Sequence, residues 1–503
     1  MAQKSIIIIG AGLAGLSAGC YAQMNGYRTH IFEHAEHPGG LAVCWRRGDY
    51  LIDGGIHFLM GAKPGNLMNQ MYRELGTAGP EILIPMRTYA RYVDQSSGKT
   101  IEVTTDLDRF VADLKAASHR DSKVVDDLSK AISGFRKVSV ADLGIGEPSD
   151  LLSITDRVRQ FWKYRKLMKY MLGKYSHAMD EYVSDEADPF VKDVLRNLFM
   201  PDVPVWFVLM VLRLIEDGNM ALIDGGCDAF ILPMEKRYKD LGGKITYDAT
   251  VQKVIVENDK AVGVKLVDGS ERRADIIVSA ADGRSTIFDL LDGRYVSNRI
   301  KERYDTWRLV KPILIISFGV KREFKDDPWL TMVRLSKPFV VGPDTIGALT
   351  IRLFNYSDKF CPAGKTIVQA LFETDWDYWD ALHDDGTKYA AEKERVASEV
   401  LTRLESVYPG LASQVEVTDV ATPFTIWRYT LNWKGSYMGW LPTPKQLLTR
   451  LENSLPGLSG FYMIGQWHTP GGGVPPSLVT GRNLIRVLCH REKRPFRSST
   501  ASP

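Results

Sequence analysis

Ile6-Ile7-Ile8-Ile9-Gly10-Ala11-Gly12-Leu13-Ala14-Gly15 is the stretch on which the fold turns. An apolar run of strand type meets a glycine-rich turn, and a helical pattern follows through Leu16, Ala18, Tyr21 and Ala22 to Gly26. A second apolar run, residues 29–32, ends in Glu33. Strand, glycine turn, helix, strand and acid, in that order, make a dinucleotide-binding βαβ unit. Gly10 suits the tight turn, Gly12 lets backbone approach a pyrophosphate, and Gly15 lets the helix pack on the sheet. Leu13 and Ala14 open the helix, whose N-terminal N–H groups face the phosphates. Glu33, 18 residues after Gly15, is placed to accept hydrogen bonds from ribose hydroxyls. An acid there repels a 2′-phosphate, so NADP is not expected at this site.

Further blocks decide which dinucleotide. Gly39-Gly40 follow six residues after Glu33, then Trp45-Arg46-Arg47, then Asp53-Gly54-Gly55-Ile56-His57-Phe58. The order resembles the flavoprotein superfamily of amine oxidases and carotenoid desaturases. The stretch 53–58 is most similar to the phytoene desaturase, carotenoid isomerase and retinol saturase branch. The resemblance returns at residues 222–226, at the strand that holds Val251, and at Gly465-Gln466 with Gly471-Gly472-Gly473-Val474. It implies FAD, held by Gly39, Gly40, Arg46, Gly54, Gly55, Ile56, His57, Val251, Gly465, Gln466, Gly472, Gly473 and Val474 as well as the first turn. Gln466 departs from the aspartate usual in the family. No cysteine stands at 471–473, so the expected FAD is noncovalent.

The implied fold is α/β: a discontinuous Rossmann-like cofactor domain (1–75, 218–295, 455–492) and a second, α+β substrate domain (76–217, 296–454). Residues 76–217 read as mostly helical, with amphipathic stretches at 107–117 and 124–135. Residues 313–318 read as strand and 388–407 as helix. Asn258-Asp259 and Asp268-Gly269 are hairpin turn signals. The tail 493–503 is basic, then Ser-rich, and reads as disordered. One GxGxxG follows a strand, so a tightly bound nicotinamide partner is not expected.

Composition excludes other classes. The chain has 503 residues and a net charge of +3, which argues against nucleic acid as partner. Five scattered cysteines without CxxC spacing fit inert thiols in a reducing compartment, and no metal site is expected. The chain enters a strand by residue 5, leaving no room for a signal peptide. No run reaches the roughly 18 apolar residues of a membrane span. A cytoplasmic protein, either free or peripheral to a membrane, is expected.

His57 and His468 are the candidates for proton transfer, since imidazole titrates near neutrality. Each can equally hydrogen-bond backbone or flavin. Lys311 resembles the lysine that holds a water near flavin N5 in amine oxidases. Residues 204–212 are apolar all round and read as a buried helix or one dipping into lipid. Residues 161–171 mix aromatics with four basic residues, as on an amphipathic surface helix or one lying on a membrane. Trp427, Tyr429, Trp433, Tyr437 and Trp440 line a cavity or pack a sheet.

The expected activity is FAD-dependent oxidoreduction at carbon–carbon bonds of a hydrophobic isoprenoid or polyene: desaturation, saturation or isomerisation. A hydride would pass to or from flavin N5, with an unknown electron acceptor or donor. A flavin amine oxidase and a non-catalytic FAD-binding protein remain the alternatives.

Overall fold

The computed structural model describes residues 3–499 apart from 78, 139, 141, 144, 149 and 450. Five strands form one parallel sheet in the order Lys244–Thr246, Arg28–Phe32, Ser5–Ile9, Ile276–Ser279, Phe461–Met463. Ile6, Ile7, Ile8 and Ile9 are all buried, as a central strand covered on both faces requires. The helix Leu13–Met24 packs on one face. The C-terminal helix Val474–Arg491 packs on it so closely that a Cβ on Gly481 would lie 2.8 Å from the Ala14 carbonyl oxygen.

A seven-stranded sheet stands apart, in the order Val415–Ala421, Ile313–Val320, Thr366–Glu373, Asp344–Leu353, Leu330–Val341, Thr88–Asp94, Thr100–Thr104. Its pairs are antiparallel except Leu330–Val341 with Thr88–Asp94. The last two strands lie in the segment read as mostly helical. They form a hairpin ahead of the expected helices, Leu107–Ala117 and Ser122–Phe135. Helix Gly386–Val407 covers the far side of the sheet through Val396, Val400 and Leu404. Asn258 and Asp259, both at positive φ, turn the hairpin between Val251–Glu257 and Lys260–Leu266 as expected.

The apolar helix Val205–Glu216 is buried inside the protein, which settles residues 204–212 in favour of a core element. No helix among the described residues is long and apolar enough to cross a membrane.

The tail corrects one expectation. The Arg497 N–H donates to Asn25 Oδ1 at 2.8 Å, and the Arg494 Nη1 donates to the Asn25 carbonyl at 2.7 Å. Phe496 packs 5.7 Å from the Tyr21 ring, with the Arg482 guanidinium over it. Two aromatic and basic anchors outweigh the local Ser-rich composition, so 493–497 are docked. Residues 500–503 lie outside the described residues.

Candidate functional site

One cavity of about 1770 Å³ runs between the two sheets. It is larger than the roughly 300–1,000 Å³ of ordinary ligand pockets. Its first part is walled by the glycine blocks. Gly10, Gly12, Leu13 and Ala14 meet Glu33, Gly39 and Gly40 there. Gly54, Gly55, Ile56 and His57 form another wall, and Val251, Gly465, Gln466, Gly472, Gly473 and Val474 close the rest.

Backbone geometry explains the glycines. The Gly10 N–H donates to the Phe32 carbonyl at 2.8 Å with φ at +96°, which bends the chain from strand into helix. A Cβ on Gly15 would lie 2.0 Å from the Gly10 carbonyl oxygen, so Gly15 sits behind the wall as a packing residue. A Cβ on Gly55 would meet Cys227 Sγ at 2.7 Å and Ala42 Cα at 2.8 Å.

Two helices begin on this cavity without a side-chain cap: Leu13–Met24 after Gly12, and Val474–Arg491 after Gly473. The first offers unpaired N–H groups to a phosphate; the second, in which Pro475 and Pro476 carry no N–H, offers the Val474 N–H and its positive end to a reduced flavin ring. Glu33 is 6% exposed. Its Oε2 accepts the Ala11 N–H at 2.5 Å and its Oε1 the Ala35 N–H at 2.8 Å, which locks the carboxylate against the turn. Burial raises its pKa, and the two N–H donors oppose that rise. The remaining lone pairs are free to accept ribose hydroxyls. These features fit FAD.

Three expected residues stand elsewhere. Arg46 is exposed and the cavity is lined by Arg47 instead, whose Nε donates to Asp419 at 2.6 Å. Neighbours on the strand Cys44–Arg47 point to opposite faces. Lys311 precedes the strand Ile313–Val320, off the cavity wall, and pairs with Asp344 at 3.3 Å. The residue that lines the cavity at this sheet end is Glu373, opposite Ile313 in the ladder. Burial raises its pKa and the Lys311 charge pulls it back. His468 lies off the wall, its N–H donating to the Gly465 carbonyl at 3.0 Å, while Trp467 lines the cavity.

His57 stays on the wall. Burial, reinforced by the Arg352 cation, holds its pKa well below the ordinary value. The ring is therefore neutral at physiological pH. Asp282 also lines the cavity and was not marked by any motif. Burial pushes its carboxyl up to about 6, although it accepts the Ser285 N–H at 2.7 Å and the Trp433 N–H at 2.9 Å.

The second part of the cavity is largely apolar, with Asp193, Asn197 and Arg334 also on its wall. Phe190, Val194, Phe199, Phe207, Met210 and Trp329 line it. Tyr429 and Tyr437 of the aromatic group also face the cavity. Trp433 and Trp440 instead pack with Trp467, 6.3 and 5.5 Å from its ring. Trp427 stacks near Phe424 at 5.3 Å.

Comparison with known proteins agrees with this geometry. Residues 13–484 match the family described as flavin containing amine oxidoreductase. The chloroplastic prolycopene isomerase of Arabidopsis thaliana is 26% identical over 96% of this chain and 82% of its own length. The neurosporene-forming phytoene desaturase of Rhodobacter capsulatus is 24% identical over 96% of this chain and 93% of its own. The fold matches an oxidoreductase of Methanosarcina mazei with a TM-score of 0.61 and 15% identity, over 96% of this chain and all of that one. A single cavity joins the dinucleotide turn to a flavin-type glycine wall, and the family match spans nearly the whole chain. The protein therefore belongs to the flavin containing amine oxidoreductase family and is an FAD-dependent oxidoreductase.

Proposed function

We propose that the protein acts on carbon–carbon bonds of a hydrophobic polyene, by desaturation, saturation or cis–trans isomerisation, with noncovalent FAD. The observation that carries this reading is the continuity of the glycine-walled part of the cavity with an apolar branch lined by Phe190, Phe207 and Met210. A long hydrocarbon can lie in that branch with one end against the cofactor wall. The likeness to a prolycopene isomerase and to phytoene desaturases supports the same substrate class.

Residues 1–75, 218–295 and 455–492 would hold the cofactor, and 76–217 with 296–454 would cover the substrate. When bound, FAD supplies hydride acceptance or donation at N5. Gly12 and the first turn of Leu13–Met24 hold the diphosphate, and Glu33 orients the ribose. Gly472 and Gly473 let the C-terminal helix present the Val474 N–H and its positive end to the ring edge that gains negative charge, since Pro475 and Pro476 have no N–H to give. His57, neutral, accepts or donates one hydrogen bond at the wall of the reacting space. The apolar branch excludes water.

The test is an absorption spectrum of the purified protein, then anaerobic reduction, then titration with polyenes. Flavin released on denaturation and a flavin spectrum perturbed by polyenes support the reading. Product analysis with and without an added electron acceptor separates isomerisation from net oxidation or reduction. Indifference to every polyene, with rapid peroxide release on simple amines, would replace it with an amine oxidase.

A further inference from the structure

The helix Ile154–Met171 carries an apolar stripe on the wrong side for a core. Its inner side is held by Leu167 and Tyr170, both buried. Ile154, Val158, Phe161, Met168 and Leu172, with Trp162 beside Phe161, are exposed. The spacing from 154 to 158, 161, 165, 168 and 172 alternates four and three residues, one continuous helix face. Ile154 is 82% exposed, Trp162 57% and Phe161 54%. The core pattern and the outward pattern occupy opposite faces of the same helix, so the outward one does not arise from packing within this fold.

Charge says what the stripe faces. Six arginines and lysines lie between 157 and 169, and the helix holds one acid, Asp156. That acid is committed to the helix N-terminus, where Ser153 and Asp156 form a reciprocal cap. The Arg165 guanidinium lies over the Trp162 ring at 5.3 Å, in the middle of the stripe. Long basic side chains around and within an aromatic–aliphatic stripe place their heads at the level of lipid phosphates while the stripe enters the acyl boundary. We propose that Ile154–Met171 is a docking surface for an anionic lipid bilayer, lying in its plane without crossing it.

The helix adjoins the cavity. Val140, Leu143 and Ile145 line the cavity edge that precedes it in the chain. Gly146, next in sequence, lies against Gln160 of the helix. Docking therefore sets this edge beside the bilayer. Passage of an apolar substrate through that edge rests on the proposed function; the docking itself does not.

The test uses the full-length, flavin-loaded protein in co-sedimentation with two vesicle types, phosphatidylcholine alone and phosphatidylcholine with phosphatidylserine. Binding to the anionic vesicles is expected, weakened by added salt. Phe161→Ser with Trp162→Ser, and separately Arg165→Glu with Lys166→Glu, should each weaken it about tenfold or more while the flavin spectrum stays unchanged. Equal binding to both vesicle types, no binding to either, or variants that bind like the parent would overturn the proposal. So would a dimer in solution that Trp162→Ser dissolves without any vesicle binding, since the stripe would then belong to a second copy of the chain. Polyene perturbation of the flavin spectrum in detergent, measured on the same variants, reports on the proposed function independently.

Discussion

Asp53 holds Cys227 twice: its Oδ2 accepts the Cys227 N–H at 2.8 Å, and its Oδ1 accepts the Cys227 thiol at 3.3 Å. The same Oδ1 accepts the Gly55 N–H at 2.9 Å, and the Ile56 N–H donates to Cys227 Sγ at 3.0 Å. The strand Tyr50–Asp53, the helix Gly226–Asp240 and the wall 54–57 are thus fastened at one carboxylate that is 1% exposed.

Asp53→Ala removes that fastening and leaves buried N–H groups unpaired. At roughly 1–3 kcal/mol for each unsatisfied group, a loss of about 3 kcal/mol in unfolding free energy is expected. Denaturant unfolding of the cofactor-free protein measures it. Asp53→Asn, which keeps one acceptor, should lose less.

Gly12→Val separates cofactor binding from folding. The nearest atom to a Cβ at Gly12 is the Gly39 carbonyl oxygen at 3.8 Å, so the protein accommodates the substitution. The pyrophosphate does not, because the side chain occupies its approach. A folded, colourless protein is expected. Gly15→Val should behave differently and fail to fold well, because its Cβ would collide with the Gly10 carbonyl. Full flavin occupancy in Gly12→Val sinks the phosphate placement.

Glu33→Gln exchanges one of two acceptor oxygens for a donor that meets the Ala11 or Ala35 N–H. Hydrogen bonds to a charged group contribute about 1.5–3 kcal/mol, so FAD affinity should fall at least tenfold. Isothermal titration of cofactor-free protein with FAD reads this directly, and an unchanged affinity removes Glu33 from the ribose.

Asp282 gives the protein a pH signature. Its folded pKa of about 6 lies above the ordinary 3.8. The folded state therefore holds this proton more tightly than the unfolded chain. The contribution to stability is full below about pH 4 and is lost as pH rises through about 6, an amount of about 3 kcal/mol at 1.36 kcal/mol per pKa unit. Asp282→Asn should flatten the pH dependence of stability in that window. A parent-like slope in the variant assigns the titration to another group.

The cofactor wall was legible because its constraints are local. A turn at Gly10, a close approach at Gly55 and an acid after the second strand are written in contiguous residues, and Gly10, Gly55 and Glu33 all line the cavity. The residues that escaped reading are those assembled by distant chain. Glu373 stands at the cavity and Lys311 outside it because of how Thr366–Glu373 and Ile313–Val320 end together, and no local pattern records a shared sheet end. Arg47 instead of Arg46 is a matter of one residue of strand phase, which inverts a side chain's face. Asp282 follows a strand as an unremarkable turn acid, and only Trp433, 151 positions later, makes it a buried one. The hairpin at Thr88–Asp94 and Thr100–Thr104 was hidden in a segment dominated by helical periodicity.

The contact between Gly481 and Ala14 has a temporal side. The parallel sheet gains its edge strand, Phe461–Met463, and its first helix gains its cover, Val474–Arg491, from the last tenth of the chain. At translation rates of about 5–20 residues per second, the first helix waits roughly 25–90 s on the ribosome for a partner encoded some 460 positions later. During that interval Leu16, Ala18 and Tyr21 have no C-terminal helix beside them, and the Gly473 end of the cofactor wall does not exist. The cavity wall is consequently complete only once the whole chain is made, and any chain stopped short of residue 461 leaves the ribosome with an open sheet edge and an uncovered apolar helix.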